Sequence, residues 1–227
     1  MLIATACTRP EPAPTAAPAA ETPTTQPPVQ AAQEAPPAPE APTTSPADAF
    51  PRMEDLVRQD DTLASLQARL GASVAIAEVL PGAEGESSPG WVLYPDQPSR
   101  RLEVFLDEQG VRPASIVVTA TASDWVRGDG LRIGLDIAAL ADLNGRPFGF
   151  AGFGWDYGGT VVDWKGGAIA PDGNQPGFVR LCPPESSAPL AYDQYPTGEG
   201  EFSSDLAVLK EHPPTVCEFT LNVPPSP

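Results

Sequence analysis

Acidic and aromatic side chains that could form a catalytic or binding site are concentrated in one thirteen-residue stretch, GFGWDYGGTVVDW (152–164). Asp156 and Asp163 are a pair of carboxyl groups of the kind that glycosidases use as acid and base. Trp155, Tyr157 and Trp164 have rings that could stack on a sugar or pack against a partner protein. These five residues are therefore the candidate binding surface of the chain.

The glycine pair 158–159 lies between two alternating segments, which is typical of a two-residue β-hairpin turn. If Tyr157 pairs with Thr160, Asp156 and Asp163 share one face of the hairpin, with Cα atoms about 7–8 Å apart. The opposite face then carries the large apolar side chains, namely Phe153, Trp155, Tyr157, Val162 and Trp164. We expect these rings to pack into a core, with ring-platform binding as the alternative, and we interpret the two acids as a solvated face.

Other patterns that could support catalysis or metal binding are weak. A Ca²⁺ site that combines the two aspartates with Asp172 would have suitable oxygen ligands, but the chain has no EF-hand loop pattern. His212 is the only histidine and follows a predicted helix, so we interpret it as a charge at the helix C-terminus. The sequence therefore predicts no catalytic residue, no metal and no cofactor. The alternative is a carbohydrate-active or metal-dependent hydrolase that uses Asp156 and Asp163.

Three short helices are predicted from their capping residues and apolar spacing. The first runs from a cap at Asp61 or Thr62 to Gly71, and the second from a cap at Asp136 to Gly145. The third is expected to start at Ser203 or Ser204 and to end before the proline pair that follows His212. TLASLQARLG (62–71) and DIAALADLNG (136–145) resemble each other, which suggests an internal repeat, although convergent helix caps are an alternative explanation.

Turn-rich connections separate short segments that alternate apolar and polar residues, which predicts antiparallel strands. Besides the hairpin, the predicted strands are 74–80, 91–94, 102–106, 114–119, 178–182 and 215–223. The last of them is expected to point Cys217, Phe219, Leu221 and Val223 toward one face. This order of elements predicts an α+β fold in which short helices pack on antiparallel sheet. Residues 52–125 and 126–227 are candidate tandem repeats, each a helix followed by a meander.

The N-terminal part differs in composition from the rest of the chain. Residues 8–51 are rich in Pro, Ala and Thr and have almost no large apolar side chain, so we expect a disordered tether. As polyproline II this tether would reach about 130 Å. The preceding MLIATAC resembles the lipobox of bacterial lipoproteins, with Cys7 as the lipidated residue. The resemblance implies that residues 1–7 are a truncated signal peptide, and that the globular domain at 52–227 is anchored to a membrane through Cys7.

Export to the cell envelope would place the remaining cysteines in an oxidising compartment. A disulfide between Cys182 and Cys217 is therefore expected, with two unpaired thiols as the alternative. A metal site at these cysteines is not expected, because two Cys and one distant His lack the spacing of metal ligands.

The charge of the domain excludes some partners. Of the 30 acidic and 13 basic residues, 5 and 1 precede residue 52, which leaves 25 and 12 in the domain and a net charge of −13. Nucleic acid requires a basic surface, so it is not an expected partner. A basic protein partner is compatible with this charge, and solubility alone is the simpler explanation.

Two family resemblances extend this interpretation. The helix-plus-meander units resemble the repeats of the β-lactamase inhibitor protein and the small lipoprotein of the β-barrel assembly machinery. The motifs RIGLDIAALADLNGRPF, GFGWDYGG and GEGEFSSD together resemble an uncharacterised group of bacterial envelope lipoproteins. The closer of these resemblances implies no activity. By the sorting rule of the lipoproteins that MLIATAC resembles, Thr8 after Cys7 implies an outer-membrane lipoprotein, which we expect to face the periplasm. We therefore expect a domain that binds or scaffolds an envelope protein or a glycan without catalysis.

Overall fold

The computed structural model describes residues 52–170, 177–184 and 194–223. Three α-helices and nine β-strands lie in these residues, with short 3-10 turns at Met53–Asp55 and Ala83–Gly85. The expected tether, Cys7 and Asp172 lie outside the described residues. The described residues belong to one compact unit.

The first two helices begin and end at residues that the sequence predicts. Helix α1 (Leu63–Leu70) follows Thr62, whose side chain forms a reciprocal capping box with the third helical residue. Helix α2 (Ile137–Asn144) follows Asp136, whose carboxylate accepts a hydrogen bond from a first-turn amide at 2.8 Å. It ends at Gly145, which has a left-handed φ of 74° that glycine adopts without strain. Both predicted caps are confirmed, since they depend on local sequence alone.

The large sheet contains six antiparallel strands: β1 (Ala75–Pro81), β2 (Ser87–Leu93), β3 (Leu102–Leu106), β4 (Pro113–Val118), β7 (Val179–Cys182) and β9 (Thr215–Asn222). Their order across the sheet is β1-β2-β3-β4-β9-β7. Strands β1 to β4 form a meander, whereas β9 returns to pair with both β4 and β7. Strands from both candidate repeats therefore belong to one sheet.

The small sheet contains three short strands, β5 (Gly149–Ala151), β6 (Val161–Asp163) and β8 (Glu201–Ser203), in the order β6-β5-β8. Helix α3 (Ala207–Glu211) follows β8 and starts later than predicted. The predicted start at Ser203 or Ser204 is wrong because this part of the chain is used by β8, which pairs with β5. With short helices and two antiparallel sheets, the fold class is α+β, as the sequence predicts.

The core lies on one face of the large sheet. Val104, Ile116 and Phe219 are at most 1% exposed there, and Leu66 of α1 and Leu140 of α2 are fully buried in the same cluster. Each such side chain contributes about 1.5–3 kcal/mol on burial. Packing of this face therefore fixes which side chains of each strand point to the opposite, outer face.

Strand β9 departs from the predicted alternation. The register between β7 and β9 shifts between Arg180 and Leu181, so that Val216 and Phe219 are both buried while Cys217 is only partly buried. The predicted common face that begins at Cys217 is therefore interrupted. Cys217 instead forms the expected disulfide with Cys182 on the neighbouring strand, with a Cα–Cα distance of 5.7 Å.

Candidate functional site

The candidate surface at 152–164 is not the predicted two-residue hairpin. Strand β5 pairs with β6 through Phe150 and Val161, and the residues between them form a longer connection. The Gly159 amide donates to the Ala151 carbonyl at 2.9 Å, and the Leu181 amide donates to the Gly159 carbonyl at 2.9 Å. A side chain on Gly159 would overlap the Leu181 carbonyl. Gly158 and Gly159 are the central residues of a turn that the Thr160 amide closes by donating to the Tyr157 carbonyl at 3.3 Å. The predicted turn is therefore confirmed, and Gly159 also allows close approach to β7. The predicted register of the flanking strands is wrong.

This register separates the aromatic side chains that were expected on one face. Trp164 is 2% exposed and packs on Phe148 with ring centres 5.3 Å apart. Phe153 is equally buried, whereas Tyr157 is 41% exposed. Trp155 is half-buried, and its indole N–H donates to the Gly152 carbonyl at 2.8 Å. The prediction of core packing is therefore confirmed for Phe153 and Trp164 and is wrong for Tyr157, which lies on the surface with an edge contact to Trp155.

The two aspartates are also separated by their local structure. Asp163 lies on β6, where its carboxylate accepts from the Lys165 amide at 2.7 Å and pairs with the Lys165 ammonium at 2.8 Å. The hydrogen bonds of Lys165 lower the pKa of Asp163, which makes this carboxyl a poor proton donor near neutral pH. Asp156 lies instead in the exposed connection between β5 and β6. The predicted pairing of the two acids as cross-strand neighbours is therefore wrong.

The outer face of the large sheet forms the floor of a cleft of about 550 Å³, which we call the sheet cleft. Alternate residues of β3, β4 and β9 supply the floor, because their neighbours point into the core. The lining residues are Pro81, Gly82, Glu103, Phe105, Ser115, Val117, Thr119, Asp156, Tyr157, Phe178, Arg180, Glu218 and Thr220. Of the candidate surface, Asp156 and Tyr157 therefore belong to this cleft, and Trp155, Asp163 and Trp164 do not line it.

Arg180 joins the floor of the sheet cleft to the connection that carries Tyr157. Its Nε donates to the Gly158 carbonyl at 3.1 Å, and its Nη2 donates to the Asp156 carbonyl. Its Nη1 lies 3.7 Å from the Glu218 carboxylate. Because a planar guanidinium can hold several acceptors in one fixed geometry, this side chain positions the connection over the cleft.

The pKa of Glu218, on the floor of the sheet cleft, is raised above its ordinary value. Its side chain is 27% exposed. Burial raises the pKa of Glu218, and the neighbouring negative charge of Glu103 adds to this effect, while Arg180 opposes it without reversing it. A carboxyl group with a raised pKa in a cleft is a feature of many binding and catalytic sites.

Sequence reasoning missed the residues of this floor. Glu103 alternates with Leu102 and Val104, and Glu218 precedes Phe219, so the period of two could have indicated that both acids face away from the core. Their proximity could not be predicted, because it depends on β9 pairing with β4, over one hundred residues earlier in the chain.

No three His, Cys, Asp or Glu side chains within 52–170, 177–184 and 194–223 are grouped so that they could hold a metal ion. No helix in that part of the chain has the length and apolar character that crossing a membrane requires.

The fold and the cleft define an α+β domain with a groove of mixed aromatic and charged character on its larger sheet. No family model, curated protein or solved structure matches the chain.

Proposed function

We propose that the chain is an envelope lipoprotein, anchored to the outer membrane through Cys7, whose α+β domain binds another envelope component without catalysis. The observation that carries the binding role is the sheet cleft, which combines exposed aromatic and charged side chains on a sheet backed by the core. Such concave sites with a few polar groups are where proteins usually hold ligands. The anchor rests on the resemblance of MLIATAC to a lipobox.

A binding role accounts for the arrangement of the cleft better than hydrolysis does. Asp156 lines the cleft, but Asp163 does not, and its carboxylate is paired with Lys165. Two acids that act on one glycosidic bond must flank it from opposite sides within about 10 Å. Glu103 and Glu218 are the other carboxyl groups of the cleft, and both come from its floor rather than from facing walls.

The anchor is tested by growing cells that produce the precursor with labelled palmitate. We expect label in the chain and its loss in Cys7→Ala, since only the lipobox cysteine would be acylated. The matched control is the double variant Cys182→Ser/Cys217→Ser, which should keep the label. Unchanged labelling of Cys7→Ala would overturn the lipoprotein assignment.

The absence of catalysis is tested separately on peptidoglycan and glycan panels. We expect the same result for the chain and for the double variant Asp156→Asn/Asp163→Asn, namely no turnover above the buffer blank. Turnover that disappears in the double variant would replace the binding role with the hydrolase alternative.

A further inference from the structure

The charged side chains of the sheet cleft leave it negative. Among the described residues of the lining, Glu103, Asp156 and Glu218 contribute three carboxylates, and Arg180 is the only basic residue. Two edges of the Arg180 guanidinium are used by the carbonyls of the β5–β6 connection. Arg180 Nη1 and the Glu218 carboxylate form an ion pair at 3.7 Å, which is longer than a hydrogen bond. The Arg180 side chain is therefore used chiefly to hold the β5–β6 connection.

Glu103 is also incompletely neutralised. Its carboxylate forms an ion pair with Arg101 Nη2 at 3.5 Å. The same nitrogen lies closer to the Glu78 carboxylate, at 3.1 Å. Because Glu103 and Glu218 both line the floor of the cleft, a positive group placed between them would be attracted by both. The burial that makes the Glu218 charge costly would strengthen that attraction.

Aromatic side chains line the same cleft as these acids. Phe105 lies on the floor, and Phe178 and Tyr157 lie at the side next to β7. Faces of aromatic rings attract cations, and the attraction increases as water is removed. Apolar walls also favour the methylene stem of an amine, which can lie along them while its charged end reaches a carboxylate.

We propose that the sheet cleft binds an alkylammonium group, with the ammonium at Glu218 and Glu103 and the stem against Phe105 and Tyr157. This inference rests on the proposed function, because it names the ligand class of the same cleft. A free amine and a lysine side chain of a partner carry the same ammonium group, so the recognised chemistry is the same for both sources. An anionic ligand would instead be repelled by the two carboxylates.

The test titrates the 227-residue chain and follows backbone amide shifts by NMR. The probes are 1,4-diaminobutane, a capped lysine, and a capped norleucine that has the stem without the charge. We expect both ammonium probes to shift amides of 103–105, 156–158 and 218–220, and the norleucine to bind at least about tenfold more weakly. Tighter binding of the lysine or of the diamine identifies the source of the ammonium group.

Two variants separate the proposal from loss of structure. Glu218→Gln keeps the shape of the side chain and should weaken ammonium binding roughly tenfold. Tyr157→Leu lies at an exposed position, keeps an apolar group and should weaken it several-fold through loss of the ring. Glu108→Gln makes the same charge change at an exposed position outside the cleft and should leave the affinity unchanged.

The pH dependence adds an independent check. The charged groups that face Glu218 are Arg180 from β7, Glu103 from β3 and Asp156 from the β5–β6 connection. Because the pKa of Glu218 is raised, this carboxylate takes up a proton at a higher pH than an ordinary glutamate does. Ammonium binding should therefore weaken before the domain unfolds, and the Glu218→Gln variant should lack this step.

Equal binding of norleucine and lysine, or equal affinity of the Glu218→Gln and Glu108→Gln variants, would overturn the ammonium ligand. The proposed function fails in a different way, namely when no envelope component crosslinks to the cleft in cells. Ammonium binding without such a crosslink would contradict the envelope role alone. A cleft crosslink without ammonium binding would contradict only the ligand class.

Discussion

Replacement of Arg180 by alanine is the most informative perturbation of the sheet cleft. The side chain donates two hydrogen bonds to backbone carbonyls of the β5–β6 connection, at Gly158 and Asp156. Hydrogen bonds from a charged donor contribute about 1.5–3 kcal/mol each. Arg180 is 29% exposed, so water can replace part of these bonds, and we expect a net loss of about 2 kcal/mol in the free energy of unfolding. For a domain of this size that corresponds to about 4–8 °C in Tm.

Two assays separate the local effect from the global one. Urea unfolding measures the free-energy loss, and hydrogen exchange followed by mass spectrometry measures opening of the connection at 155–158. We expect exchange there to accelerate in Arg180→Ala more than exchange in β3 or β4, because residues 156 and 158 lose the side-chain hydrogen bonds that attach them to β7. Arg180→Lys keeps the charge beside Glu218 but cannot reproduce the two-carbonyl geometry, so it should recover only part of the loss.

Two results together would refute this role of Arg180. The free energy of unfolding of Arg180→Ala would differ from that of the wild type by less than about 0.5 kcal/mol, as for a surface substitution, and exchange at 155–158 would be unchanged. In that case other contacts hold the connection. An equal effect of alanine and lysine would show that the retained charge contributes nothing, whereas a lysine variant as stable as the wild type would show that charge rather than geometry matters.

Three further changes test the core, the disulfide and a buried ion pair. Trp164→Ala should lower the free energy of unfolding by about 3–5 kcal/mol, because it leaves a cavity in place of a ring that is 2% exposed. Reduction of Cys182–Cys217, which are separated by 35 residues in sequence, should cost about 4 kcal/mol in the chain-entropy model. Asp129→Asn should cost about 2 kcal/mol at neutral pH, because the Arg127 guanidinium is 3% exposed and loses its carboxylate.

The pH dependence of the last variant has a defined sign. Burial raises the pKa of Asp129, but the hydrogen bonds and the charge of Arg127 outweigh this effect, so that the pKa is lowered overall. The stabilisation is therefore complete above the ordinary carboxyl pKa of about 4 and is lost as the pH falls through the lower folded-state value. Urea unfolding of the wild type and of Asp129→Asn should be compared between pH 7 and pH 3. The difference between their free energies of unfolding should shrink below about pH 4. A difference that stays constant with pH would contradict the ion pair.

The other two changes have simple controls, both read by urea unfolding. Val162→Ala, at a side chain that is 44% exposed, should change the free energy of unfolding by less than about 0.5 kcal/mol. An effect as large as that of Trp164→Ala would contradict the observed register of β6. Cys182→Ser/Cys217→Ser should be insensitive to reductant, and an equal response of this variant would mean that the reductant acts elsewhere.

Features that depend on neighbouring residues could be predicted from the sequence. Thr62 and Asp136 cap helices because their side chains reach amides in the next turn. The alternation in 102–106 matches β3 because one face of the strand is buried. The α+β fold follows from such local patterns taken in order.

Features that depend on distant pairing could not be predicted in this way. Gly159 carries a turn signal in its local sequence, but its carbonyl accepts from Leu181 of β7 and its position leaves no room for a side chain. Strand β8 has only three residues and exists through its pairing with β5. The proximity of Glu103, Arg180 and Glu218 requires the order β3-β4-β9-β7, and no local pattern encodes that order.

The central claim is that the sheet cleft binds an envelope component, and site-specific photo-crosslinking in intact cells tests it most directly. A photoreactive phenylalanine analogue replaces Tyr157, which lines the sheet cleft. The control carries the analogue in place of Val126, which is 48% exposed and does not line the cleft. We predict a discrete crosslinked product from position 157 that is reduced in the Arg180→Ala background, and no such product from position 126. A product from position 126 alone, or none from position 157, would contradict the account.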